Sequence, residues 1–408
     1  MRPLHGVRVV DLSMGWAGPL AARHLVDMGA EVIKVESCER FDWWRGWEAT
    51  PEWIAQNAAE QSASFNTVNR NKLDVTLDLT SADGSALLKR LVAIADVVVE
   101  NYSAGVLPKL GLGYEALRAV NPELVMLSMP AFGSNGPWSA YRAYGSTVEH
   151  ASGLPHLNGE PDWPPTMVHV AYGDAVGGLN GAAALLTALR HRRRTGQGQY
   201  LDLSQSEGLF PLGIHGILQQ SVSGRPPVRL GNRSSSCAPH GVYPAAGEDQ
   251  WVVIQVLTDT QWRALTGLID GLQQFGDVAD RLARRDELDC IVAAWTRLRQ
   301  ARGIMLLLQS RGVPTAAVAN MMDVLSDPQL AARQFWQMLE RAHVGRQPNP
   351  VAPYRVGTAP FPIDAPAPTL GQHNRRVLSE LLGLTDAELA RLTNAGVIGD
   401  RPVMPRGA

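Results

Sequence analysis

Three times in its first 130 residues the chain repeats one alternation: a short β-branched run, a stretch with helical apolar spacing, and another β-branched run. "GVRVVDLS" is followed by "AGPLAARHLVDMGA" and then "EVIKVE". "SALLKRLVAIA" leads to "DVVVENY", and "YEALRAVNP" leads to "ELVMLSM". Short apolar runs bounded by helices read as buried strands. A strand, a helix and a second strand in succession form a crossover unit, whose two strands lie parallel in one sheet. The pattern therefore predicts an α/β fold with a Rossmann-like parallel sheet and helices on its faces.

With 408 residues, 45% of them hydrophobic, the chain has apolar material for one large core or two domains. From Ser221 to His240 the composition turns to Ser, Arg, Pro and Asn, a long connection that marks a boundary. The expected division is a large domain over 1–225, a small α+β domain over 226–335, and a C-terminal segment, 336–408, that returns to the large domain. In the small domain, "GVYPAAGEDQWVVIQVLTDTQWRALTGLI" gives two strands around an "AAGED" turn and then a helix, with "VPTAAVANM" a further strand. The Pro-rich stretch "NPVAPYRVGTAPFPIDAPAP" is expected to wrap around another part of the molecule without a core of its own. "TDAELARLTNAGVI" opens on a Thr-x-x-Glu capping box.

Several function classes fall away. A formal net charge of −2 gives no excess of cations for phosphate-backbone binding, so nucleic acid is not an expected partner. Cys38, Cys237 and Cys290 are too few and too scattered for a disulfide framework or a four-ligand zinc site, which fits a reducing compartment. The start, "MRPLHGVRVVDLS", lacks a signal-peptide apolar region, and no run approaches the roughly 20 apolar residues that span a bilayer, so a cytoplasmic protein with no membrane partner is expected. The basic cluster "RHRRRTG" follows an apolar helix, where cations complement the dipole and glycine ends the helix. The first strand–helix turn, "DLSMGWAGPLAA", has no Gly-x-Gly-x-x-Gly, so no nicotinamide cofactor is expected, nor is a metal. There is no Walker loop, zincin motif or Gly-x-Ser-x-Gly elbow.

One acid remains conspicuous. Asp174, in "YGDAVGGLNGAAALLTALR", stands among glycines at the start of an apolar helix, where an acid serves either as a cap or as a reactive group. The chain resembles the class III CoA-transferases, the CaiB/BaiF or formyl-CoA transferase-like family, which also contains α-methylacyl-CoA racemases. The resemblance rests on segments in order along nearly the whole chain. Among them are "LHGVRVVDLSMGWAGPLAARHLVDMGAEVIKVE", "FNTVNRNKLDVTLDL", "ADVVVENYSAGVLPKLGLGYEALRAVNPELV", "FGSNGP", "YGDAVGGLNGAAALLTALRHRRRTGQGQYLDLSQSE" and "LGQHNRRVLSELLG". It implies an acyl-CoA:carboxylate CoA-transferase built as an interlocked homodimer, with acyl-CoA and a free carboxylic acid as substrates and Asp174 as nucleophile. Attack on the thioester would give a mixed anhydride and CoA thiolate, and thiolate return would give an aspartyl-CoA thioester that the acceptor acid takes over. Small neighbours of Asp174 would let a thioester approach closely.

The resemblance also implies contacts to CoA. Gly15, Trp16 and Ala17 would flank the adenine or pyrophosphate, and Asn71, Lys72, Asn101, Tyr102 and Lys109 would line the rest of the groove, although Lys72 or Lys109 read alone is an ordinary solvated lysine. The racemase branch pairs its Asp with a His shortly after the Gly-Pro motif. Tyr144 and Gly145 stand near that place here, which disfavours the alternative of an α-methylacyl-CoA racemase or isomerase. A CoA-binding protein without catalysis is a third reading, against which the intact Asp174 argues. His150 is expected to be either a substrate-pocket residue or an ordinary buried histidine. Trp44 and Trp47, in the Trp-rich "FDWWRGWEATPEW", are expected either to cover a bulky apolar or aromatic acyl group or to anchor a long loop.

Overall fold

The computed structural model describes residues 2–47, 49–169 and 171–404. Six strands form one sheet: β1 (Arg8–Asp11), β2 (Glu31–Glu36), β3 (Leu73–Thr76), β4 (Val97–Glu100), β5 (Val125–Ser128) and β6 (Gln199–Asp202). Their order is β3-β2-β1-β4-β5-β6 and every pairing is parallel, with Val9 of β1 registered against Val32 on one side and Val97 on the other. Mixed α/β architecture with a six-stranded parallel sheet of Rossmann-like order is therefore present. The strand order reverses between β1 and β4, and such a reversal opens a crevice at the carboxyl ends of the strands.

The helices that matter for the site are α1 (Ala17–Asp27), α2 (Ala82–Ala93), α3 (Gly145–Ala151) and α4 (Tyr172–Thr195). Successive strand residues point to opposite faces, so the apolar runs feed two cores. On one face Val10, Ile33, Val98 and Met126 pack with Leu88 and Leu91 of α2. On the other, Val9, Val32, Val97 and Leu127 pack with Ala21 and Leu25 of α1 and with Ala182 and Leu185 of α4. Glycines allow α4 to come this close: a Cβ on Gly178 would stand 2.8 Å from Ala17 O and from Leu20 Cβ. The helix ends where the sequence said it would, with arginines in its last turn and Gly196 at φ +70°.

The chain divides into two compact units: 155–166 with 215–328, and the rest of the described chain. The smaller unit has an antiparallel sheet of β7 (His240–Pro244), β8 (Trp251–Gln255) and β9 (Thr315–Ala317), with helices α5 (Asp259–Thr266), α6 (Arg285–Thr296) and α7 (Ala301–Gln309). Ile254, Trp262, Leu265, Val292 and Ile304 fill its core.

In the larger unit the C-terminal part forms a hairpin of β10 (Trp336–Arg341) and β11 (Gly345–Pro350), and later α8 (Asp386–Asn394), which carries the expected Thr385–Glu388 capping box. The Pro-rich stretch is more structured than its composition suggests. It contains a short antiparallel pair, Arg355–Val356 with Ala359–Pro360, and is pinned where Asn71 Oδ1 accepts the N–H groups of Asp364 and Ala365 at 2.7 and 2.9 Å.

Candidate active site

Asp174 is the third residue of α4, whose N-terminal flank, Ala171, makes no side-chain cap. The helix begins two residues ahead of the acid, so Asp174 is not its cap. Its carboxylate instead lies near backbone N–H groups of two other elements, Ala17, first residue of α1, and Gly145, first residue of α3, and both lower its pKa. Burial pushes the carboxyl up to about 6, and the two N–H donors hold it from rising further. It is thus ionised near neutrality and only partly solvated, a state suited to nucleophilic attack.

Space for a substrate lies directly beside it. A cavity of about 380 Å³ is lined by Met14, Trp43, Asn101, Tyr102, Tyr144, Gly145, Asp174 and Gln205, among others. Met14 and Asn101 follow β1 and β4, so the cavity opens at the crevice where the strand order reverses. Asn101 joins the two strand ends: its Oδ1 accepts Met14 N–H at 2.8 Å and its Nδ2 donates to Met14 O at 2.7 Å. Gly145 is confined by the acid itself, because a Cβ there would stand 2.0 Å from Asp174 Oδ2.

Gly15 has φ +73°, donates its N–H to Asp42 Oδ1 at 2.8 Å, and faces Trp43, whose ring a Cβ would meet at 2.2 Å. Trp16 lies between Trp44, tilted to it at 5.7 Å, and His169, which meets it edge-on at 6.0 Å. The tryptophans form a connected aromatic row: Trp43 lies 4.7 Å from Trp47, 6.0 Å from Trp44 and 5.5 Å from Tyr144. Trp43 lines the cavity, while Trp47 is 69% exposed.

A buried ionic cluster fixes this loop. Arg45, fully buried, bonds Glu36 and Glu60 at 2.9 Å each and Asp74 at 3.5 Å, and its guanidinium stacks 3.6 Å over the Phe65 ring. Lys34 pairs with Asp42 at 2.9 Å. Burial alone would raise Glu36, but Arg45 and Lys34 beside it hold it down at about 2. Neither Arg45 nor this cluster was singled out from sequence.

Other expected CoA contacts lie elsewhere. Lys72 is buried, and its ammonium donates to Asp11 Oδ2 at 2.8 Å, Pro19 O at 3.0 Å and Asn69 Oδ1 at 2.8 Å. All three of its donors are used within the fold, so it ties α1 and β3 to β1 in place of meeting a phosphate. Asn71, at φ +63°, holds residues 364 and 365. Lys109 is exposed at the end of a short helix, Val106–Lys109, and is not among the residues lining the Asp174 cavity.

His150 is neither a cavity-lining residue nor buried: it is exposed on α3, and its Nδ1 lies 2.7 Å from Ser146 O. The adjacent residue has the structural role instead. Glu149 is fully buried, and its carboxylate accepts the N–H groups of Val168 and, at 3.5 Å, His169, just ahead of Asp174. Its signal in the sequence was only an acid at helical spacing from Gly145.

Among the described residues no group of three or more His, Cys, Asp or Glu side chains is placed to hold a metal ion. None of the described helices is long and apolar enough to cross a membrane.

The sequence model of CoA-transferase family III matches residues 4–374. Succinyl-CoA–D-citramalate CoA-transferase of Chloroflexus aurantiacus is 35% identical over 97% of this chain and 98% of its own length. Succinate–glutarate CoA-transferase of Agrobacterium fabrum is 34% identical over 93% of this chain and 96% of its own. The crystal structure of a CaiB/BaiF family protein from Brucella suis superposes with a TM-score of 0.83 at 33% identity, covering 93% of this chain and 99% of that one. With matches over nearly its whole length, this chain belongs to CoA-transferase family III and is an enzyme of the CoA-transferase type, with CoA thioesters as substrates.

Proposed function

We propose that the protein transfers CoA from an acyl-CoA to a free carboxylic acid with Asp174 as the covalent centre. One observation carries this reading: a half-desolvated carboxylate at the head of a 24-residue helix, near the starts of two other helices, lines a cavity at the strand ends. The carboxylate attacks the thioester carbonyl, the C–S bond breaks, and an acyl-aspartyl anhydride and CoA thiolate result. Thiolate attack on the Asp174 carboxyl carbon expels the donor acid and leaves the aspartyl-CoA thioester. The acceptor carboxylate repeats the first attack in reverse sense, and the thiolate then takes the acyl carbon, regenerating Asp174. The nearby N–H groups of Ala17 and Gly145 would stabilise the oxyanion that forms at the aspartyl carbonyl.

The relatives named above act on succinyl and other short dicarboxylic groups. Short dicarboxylic acids are therefore candidate substrates here, and Trp43, with Trp44 and Trp47 behind it, supplies an aromatic wall that favours the bulkier members. A racemase would need a second base beside Asp174, and the residue against its carboxylate is Gly145. Incubating a 2-methylacyl-CoA with the protein in heavy water should therefore give no deuterium at the α-carbon above the uncatalysed rate.

We further propose an interlocked homodimer in the cytoplasm. Supporting the dimer, Ile217, Leu218 and Val222 project from a helix, Ile214–Ser223, with 48, 56 and 87% of their surfaces exposed. All three cysteines are free, as suits a reducing compartment.

Acceptor acid labelled with heavy oxygen tests the mechanism. Over repeated turnover the label should enter the Asp174 side chain, and hydroxylamine added with acyl-CoA should convert that residue to its hydroxamate. Transfer at full rate with Asp174 unlabelled and unmodified would overturn the reading.

A further inference from the structure

Gln205, on the turn after β6, is 7% exposed and lines the same cavity as Asp174. Its Nε2 donates to Met129 O at 2.8 Å. Its Oε1 is buried, and no described group donates to it. The amide cannot be turned to cure this, because exchanging oxygen and nitrogen would set two carbonyl oxygens against each other at Met129. A buried acceptor held in this way calls for a donor from elsewhere.

The reacting groups do not supply one: the Asp174 carboxylate, the thioester carbonyl and both carboxylate substrates present acceptors. In a CoA thioester the donor nearest the sulfur is the cysteamine amide N–H, two methylene groups away. Gln205 shares the cavity with Asp174. Its Oε1 lies beside α4, 3.3 Å from where a Cβ on Gly177 would stand. Gly177 follows Asp174 by three residues, an axial rise of about 4.5 Å.

We propose that Gln205 Oε1 accepts the cysteamine N–H of the CoA arm and so holds the sulfur opposite the Asp174 carboxyl carbon. The proposal rests on the reading of Asp174 as the centre of transfer. Anchoring the arm at this amide keeps the released thiolate within reach of the anhydride, on which its return depends.

Calorimetric binding of free CoA, and of an analogue with an ester oxygen replacing the cysteamine N–H, tests this on the full-length protein. Wild-type protein should bind CoA about tenfold more tightly than the analogue, the worth of one neutral hydrogen bond. Gln205→Met should bind the two equally. Gln205→Glu, whose buried carboxyl when protonated can donate to Met129 O and still present an acceptor oxygen, should retain the preference at a pH where it is protonated, and it decides the matter if the methionine variant does not fold.

A tenfold preference surviving in folded Gln205→Met, or lost in folded, protonated Gln205→Glu, overturns the assignment. So does a Gln205→Met variant that keeps the preference but loses discrimination between malate and succinate as acceptors, since the donor would then be the acid's hydroxyl. Wild-type protein that binds neither CoA nor analogue would instead sink the transfer site itself.

Discussion

At position 145 a Cβ would lie 2.0 Å from Asp174 Oδ2 and 2.8 Å from its Cγ, so even alanine must displace the carboxylate or the start of α3. Gly145→Ala should lower the transfer rate by about 100-fold, as expected for an ångström-scale misplacement of a reacting group, with CoA affinity nearly unchanged. Steady-state kinetics beside calorimetry would separate the two. Asp174→Ala should abolish transfer and preserve fold and CoA binding. Because the proposed attack by Asp174 needs its ionised carboxylate and burial sets that group at about 6, kcat/KM should fall with unit slope as pH drops below about 6. Glu149 acts one step back. Glu149→Ala frees the segment that leads into α4 and loosens the Gly145 donor, so the acid limb should move to higher pH and kcat should fall, while Glu149→Gln, which still accepts one N–H, should restore part of both. A pH profile unmoved in Glu149→Ala would mean that this acid only supports the fold. Asp174 could be found in the sequence through its Gly-rich setting and the family resemblance. Its N–H partners could not, because they come from residues 157 and 29 positions away. Lys72 misled for a related reason: a lysine in a polar run reads as solvated, and only the fold shows that Asp11, 61 residues earlier, takes it inside.

Strands and helices of the sheet domain follow from local periodicity, which is why the alternation along the chain predicted them. The Trp loop between β2 and β3 does not, having neither a helical nor a strand period. Its conformation is dictated by Arg45, whose three acidic partners come from separate places: Glu36 ends β2, Glu60 lies beyond the loop and Asp74 lies in β3. Removing one partner of a buried ionic cluster leaves uncompensated charge and costs about 3 to 5 kcal/mol, so Arg45→Met should be strongly destabilised in denaturant titrations. The aromatic row is better tested by trimming it. Trp44→Ala or Trp47→Ala should weaken selectivity for bulky acyl-CoAs by on the order of 1 to 3 kcal/mol in kcat/KM, with CoA affinity held. Equal losses for CoA itself would assign the row to scaffolding.

Across the whole molecule, the proposed dimer predicts that sedimentation at micromolar concentration finds no folded monomer. Sequence composition marked a boundary near residue 225, and the compact units instead divide at 214 and 328, with 155–166 joining the smaller one. Composition registers a change in residue type along the chain and has no access to which segments pack together. The ends of the chain meet in the same way. Pro368 O accepts from Arg45 at 3.3 Å, Leu370 N–H donates to Glu60 Oε1 at 3.0 Å, and Gly371 N–H donates to Asp74 Oδ1 at 2.6 Å. During synthesis the loop that carries the tryptophans therefore emerges more than 300 residues before the groups that complete its anchor. Until residue 371 has left the ribosome, Glu60 and Asp74 lack hydrogen bonds that the finished fold gives them, so the cluster that holds the loop is completed only after the last strand of the sheet has been made.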